Sequence, residues 1–74
     1  MTTTPKPKEW TGLPPDRCDL CSDPITDEFI DGRTTEGPWA NMCPECHQSW
    51  GMGCGTGHGQ RYRLTDGRWL KTEG

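Results

Sequence analysis

Apolar residues are sparse along this chain, and regular patterning is confined to short stretches. From Arg61 to Leu64 polar and apolar positions alternate, Asp66-Gly67 supplies a turn dipeptide, and Arg68-Trp69-Leu70-Lys71 follows it. Alternation running up to Asp-Gly, with a second short apolar-containing stretch after it, predicts a β-hairpin. It sets Tyr62, Leu64 and Trp69 inward and Arg61, Arg63 and Arg68 outward. A second, more ragged hairpin is predicted upstream. Thr26 to Ile30 reads as a strand, Asp31-Gly32 as its turn and Arg33-Thr34-Thr35 as the return, broken by Glu36-Gly37-Pro38. Pro44 to Trp50 predicts a helix of about one to two turns, because proline suits the first helical position and Glu45 the first-turn dipole. Gly51 would end it.

Between helix and last hairpin lies an unusual run. Gly51, Gly53, Gly55, Gly57 and Gly59 alternate with Met52, Cys54, Thr56 and His58. Its first reading is a loop or linker. It could also be an extended strand whose bare side admits a partner or, less favoured, a cradle of backbone N–H groups for an anion. Neither a nucleotide P-loop pattern nor a dinucleotide fingerprint is present. At the other end, residues 1–9 are rich in Thr, Pro and Lys and read as a disordered tail. The expected organisation is therefore a tail over 1–9, a cysteine module over 10–50, a glycine segment over 51–60 and a C-terminal hairpin over 61–74.

Composition sharpens this picture. With 74 residues and 28% hydrophobic content the chain cannot bury a large core. Domains of this size depend on a staple. No stretch approaches the roughly 20 apolar residues of a membrane span, so no membrane association is expected. A deep substrate pocket, a small-molecule substrate and catalysis are not expected either. Trp10, Trp39, Trp50 and Trp69 are the richest apolar material and are assigned to a miniature core. The alternative use of one or two of them is as binding anchors or base-stacking platforms.

Five cysteines identify the staple. The first residues show no apolar signal segment, so a reducing, cytoplasmic setting is expected, where disulfides do not persist. Cys18-Asp19-Leu20-Cys21 and Cys43-Pro44-Glu45-Cys46 form C-x2-C-x21-C-x2-C. Two residues between ligands make a tight turn that aims both sulfurs at one ion, and two such turns close a tetrahedral shell of soft donors suited to one structural Zn2+. Iron in a four-thiolate site is the chemical alternative. Cys43 to His47 also matches a covalent haem signature, with Met52 as an axial candidate, but that reading leaves Cys18 and Cys21 unexplained. Cys54 reads as a free thiol, His47 as a neighbour of the site or a solvent-facing side chain, and His58 as a loop residue. Four thiolates leave no open coordination position, which argues against catalysis at the metal.

The net charge of −3 is unevenly spread: residues 9–45 carry nine acids against Arg17 and Arg33, whereas residues 46–74 are net basic. A nucleic-acid footprint could come only from Arg61, Arg63, Arg68 and Lys71, with Tyr62 or Trp69 stacking on bases.

A C-x2-C turn, a hairpin and a second C-x2-C at a helix start resemble the treble-clef and zinc-ribbon group of small zinc modules. The resemblance covers Cys18 to about Trp50. Phe29 to Arg33, Gly37 to Cys43 and the glycine run are also similar to small zinc proteins of tailed bacteriophages. The group implies a small α+β fold and leaves open nucleic-acid binding, protein contacts or assembly. A phage origin would imply action in the host cell or carriage in the virion. The expected role is a non-catalytic zinc module that binds a protein partner or a second copy of itself; the alternative is a nucleic-acid-binding module acting through the basic hairpin.

Overall fold

The computed structural model describes residues 8–55 and 57–74. Residues 1–7 of the expected tail, and Thr56 of the glycine run, lie outside the described residues. Four strands, β1 (Glu28–Arg33), β2 (Trp39–Met42), β3 (Gly59–Thr65) and β4 (Arg68–Glu73), form one antiparallel sheet in the order β2-β1-β3-β4. One helix, α1 (Pro44–Trp50), follows β2. The domain is α+β. Because β2 and β3 both flank β1 antiparallel, they run the same way, and α1 with the glycine loop is the crossover between them. The C-terminal hairpin is thus part of the same sheet as the hairpin between the cysteine pairs.

That upstream hairpin exists, but its turn is not Asp31-Gly32. Those two residues lie inside β1, paired with Asn41 and Ala40 on one side and with Gln60 and Gly59 on the other. The chain reverses over Thr34 to Pro38, closed by the Thr34 N–H and the Thr34 hydroxyl, both donating to the Pro38 carbonyl at 3.0 and 2.8 Å. Gly32 is needed for close approach instead: a Cβ there would lie 3.1 Å from the Gly59 Cα and 3.0 Å from the His58 carbonyl oxygen. The turn dipeptide misled because glycine serves two backbone purposes, reversal and contact.

Both faces of the sheet are covered around β1. On one face Phe29 stacks on Tyr62 with ring centroids 5.3 Å apart. Trp10 meets both edge-on at 5.2 Å, and Trp69 meets Phe29 at 5.0 Å. On the other face Ile30, Met42 and Ala40 are buried, on the side of the crossover. Leu64, expected inward, is exposed. It lies beyond the last β1–β3 pair, Glu28 with Arg63, so no third strand shelters it. Arg61, expected outward, is half-buried, next to a register irregularity between Arg61 and Tyr62.

The outer edge of β4 is covered by residues 8–10. Glu9 bridges Leu70, the Trp10 N–H donates to Trp69, and the Lys71 N–H donates to Lys8. Lys8 and Glu9, at the end of the expected tail, are therefore paired with the sheet. Among the described residues no helix is long and apolar enough to cross a membrane.

Candidate metal centre

The first C-x2-C is a self-contained turn. The Cys18 N–H donates to the Asp23 carbonyl, the Ser22 N–H returns to the Cys18 carbonyl, and Arg17 bridges Pro24. Ser22 takes the left-handed backbone conformation that so tight a return requires, with φ of 65°. The second pair is built differently. Cys43 is the residue before α1 and Cys46 lies in its first turn, so one sulfur comes from the approach to the helix and the other from the helix itself. Pro44 at the first helical position fixes that entry.

Asp19 brings the two turns together. Its N–H donates to the Asn41 carbonyl at 2.9 Å, and its carboxylate accepts from the Asn41 N–H at 2.8 Å. This clasp ties the first turn to the outer edge of β2, two residues ahead of Cys43. It also satisfies part of an otherwise open edge strand. The sequence offers Asp19 only as an acid between two ligands; its partner across 22 positions is set by the fold.

The four sulfurs of Cys18, Cys21, Cys43 and Cys46 all lie within 4.8 Å of one another. The Cys21 and Cys43 sulfurs are 3.8 Å apart. A tetrahedron with metal–sulfur bonds of about 2.3 Å has edges of about 3.8 Å, so the spacing suits one ion held by four thiolates. The chain thus contains a four-cysteine cluster that could hold one metal ion, and the all-sulfur donor set favours zinc.

The surroundings prepare at least one thiolate. Burial of Cys18 works against its charge, yet the N–H groups of Cys43, Cys21 and Leu20 turned toward its sulfur outweigh that cost and lower its pKa to about 7. The Leu20 N–H lies 3.4 Å from this sulfur. Cys46 is pushed the other way, first by burial and then by the neighbouring sulfurs. Four thiols this close cannot all ionise without a cation to balance them, which is the electrostatic demand a divalent metal meets.

The remaining candidates separate from this centre. Cys54 is a half-buried free thiol outside the cluster. His47 is neither a ligand nor solvent-facing: its buried ring bonds through Nε2 to the Gly53 carbonyl at 3.1 Å, pinning the glycine loop onto the helix. Gly51 permits that contact, since a Cβ there would fall 2.2 Å from His47 Cδ2. The described residues between Gly51 and His58 accordingly form a folded loop rather than an extended strand. Gly51 bridges Thr34, Gly55 bridges Gly59, and Met52 donates to Arg33.

Two of the four cations of the basic hairpin have acidic partners. Arg61 pairs with Glu28 and, at 3.1 Å, with Glu73. Burial would favour loss of its proton, but Glu28 foremost holds the charge in place. Arg68 lies 3.9 Å from Glu9. Arg63 is exposed and Lys71 half-buried. Trp69 has its ring against Phe29 rather than free for stacking.

The four tryptophans divide evenly. Trp10 and Trp69 belong to the aromatic face, whereas Trp39 and Trp50 are 53% and 50% exposed. The last two line an open cleft of about 490 Å3 together with Leu20, Pro38, Ala40, Thr34, Asp19 and Glu36. The cleft sits at the outer edge of β2, between the first cysteine turn and the end of α1. The sequence favours the core for each indole and leaves exposure of one or two as the alternative; Trp39 and Trp50 are the two exposed. Comparison with known families, with curated proteins and with solved structures finds no match for this chain.

Proposed function

We propose that the protein is a non-catalytic structural-zinc module of treble-clef type that works by binding another protein. The order of its parts supports this reading: a cysteine turn, a hairpin, then a helix whose start carries the second ligand pair. A closed shell of four thiolates offers stability and no open position for a substrate. The observation that carries the functional part is the exposed Trp39–Trp50 cleft beside the metal centre. In a chain so short of apolar residues, leaving two indoles half in water forfeits burial that the fold could use, and clustered exposed apolar surface is the mark of a contact site.

The nucleic-acid reading has less to support it, because Glu28 and Glu73 occupy Arg61, the central cation of the hairpin. A photo-crosslinking amino acid placed at Trp39, with Leu64 at the far tip of the sheet as control, tests the choice in cells. Discrete protein adducts from position 39 and none from 64 are expected, with one zinc per chain. Adducts to nucleic acid alone, or none from either position, would sink the proposal.

A further inference from the structure

We propose that the Trp39–Trp50 cleft takes an extended, basic peptide segment with aliphatic or proline anchors, added alongside β2. The inference rests on the protein-binding reading above and specifies the partner's chemistry.

Main-chain geometry gives the first argument. Asn41 turns its N–H and C=O outward, where Asp19 holds them. Main-chain groups in an antiparallel strand alternate sides, so Trp39, two residues earlier, turns its own N–H and C=O to the same open side. The clasp thus occupies the outward groups of Asn41 and leaves those of Trp39 to the cleft, and a peptide laid along β2 would continue it by strand addition. Only one such pair is offered, so side chains must supply most of the selectivity.

Side chains provide the second argument. Trp39 and Trp50, with Leu20 and Pro38, form apolar walls, and indole faces suit proline rings and aliphatic stems. The third argument is charge complementarity. The two ionisable residues lining the cleft, Asp19 and Glu36, are both acidic and exposed. Leu20 lies between Cys18 and Cys21, so the thiolate cluster adds negative charge at one end. Residues 9–45 as a whole are strongly acidic. Lysine or arginine on the incoming segment would meet these groups, while an acidic segment or a nucleic-acid backbone would be repelled.

The test titrates the zinc-loaded full chain with four fluorescein-labelled peptides of equal length. They alternate lysine with leucine, lysine with proline, glutamate with leucine, and lysine with serine. A lysine peptide with leucine or proline is expected to bind, with the other two classes weaker by about tenfold or more. Trp39→Ala and Trp50→Ala should each weaken it about tenfold, and Leu64→Ala should not. Glu36→Lys should weaken it comparably, and its exposed position removes unfolding as an explanation. Equal binding of the glutamate peptide, or affinity untouched by Trp39→Ala, overturns the proposal. So does a crosslink from position 39 to an acidic segment or to a second copy of the chain, although protein binding itself would then stand. No peptide binding together with no crosslink sinks both readings.

Discussion

On the metal side of the sheet, from Arg17 to Ser22, the only buried residue is Cys18, and the turn is surrounded by Asp16, Asp19 and Asp23. On the far face of β1 three aromatic rings close around Phe29, which has no exposure at all. The first region has almost no apolar surface to bury, so an ion held by the four sulfurs would supply what packing there does not. The second is closed by packing rather than by ligands, because large rings remove much surface from water in few residues. Strand β1 is common to both, and Asp19 ties the cysteine turn back to the same sheet. The contrast teaches how 28% hydrophobic content suffices: the few apolar residues are gathered against the two faces of β1, and the cysteine turn, with little to bury, is left to the four-sulfur cluster and the ion it could hold.

The largest expected effect follows from removing the ion. Structural zinc contributes about 10–16 kcal/mol in zinc-finger peptides, against a total stability of about 5–15 kcal/mol for ordinary domains. A strong chelator, or Cys43→Ser, should therefore unfold the chain as a whole, aromatic face included. Far-ultraviolet circular dichroism follows the sheet, and near-ultraviolet dichroism follows the aromatic packing. Both should collapse together. Survival of the near-ultraviolet signal after metal loss would break the comparison as drawn, by showing that the aromatic half stands alone.

The aromatic side is tested by Phe29→Ala in the zinc-loaded protein. Emptying a fully buried phenylalanine site costs about 3–5 kcal/mol. Urea unfolding should show that loss, while cobalt substitution should still give the absorption of a tetrahedral thiolate centre. Trp50→Ala, on the exposed cleft, should cost about 1 kcal/mol or less. A Phe29→Ala loss no larger than that of Trp50→Ala would mean that the rings contribute little.

How much of this was legible beforehand depends on how local the cause is. The four-cysteine cluster was readable because C-x2-C is a local geometry that occurs twice, and the C-terminal hairpin because the alternation over Arg61–Leu64 leads into Asp66-Gly67. Pro44 and Glu45 marked the start of α1 correctly for the same reason. Asp31-Gly32 failed because its glycine answers to Gly59, a residue far along the chain. The split of the tryptophans was hidden because an indole in a sequence carries no address. Trp10 is inward because residues 8–10 pair with β4, and Trp39 is outward because β2 is an edge. The Asp19 clasp was equally unreadable, since its partner depends on how the first turn folds back on the sheet.

The seam between the halves is the glycine loop, and Gly51→Ala probes it. The added methyl would collide with the His47 ring and with its carbonyl oxygen, 2.7 Å away, at the point where α1 ends. Overpacking of this kind costs about 1–3 kcal/mol. Thermal unfolding should report that loss with zinc stoichiometry unchanged. His47→Ala in the same background should recover part of it by making room for the methyl group. No recovery would place the strain in the backbone instead of the ring contact.

The smallest effect concerns Tyr62, the only tyrosine in the chain and therefore readable by its phenolate absorbance. Burial first, and then the charge of Asp31, raises its pKa above the ordinary value. The neutral phenol is thus the form the fold prefers, and its hydroxyl donates to Gln60 Oε1 at 2.9 Å. A raised folded value makes this contribution complete below the ordinary tyrosine pKa of about 10, with loss as pH climbs through the folded value. Alkaline titration should show the phenolate appearing later in the native protein than in denaturant. Stability should fall over that same window. Tyr62→Phe should cost about 1 kcal/mol or less at neutral pH, from the lost hydrogen bond, and should abolish the tyrosine-linked part of the alkaline loss. Were Tyr62 to ionise at its ordinary value with the sheet intact, the aromatic face would be open to water. The contrast between a ligand-held half and a packing-held half would then reduce to the metal alone.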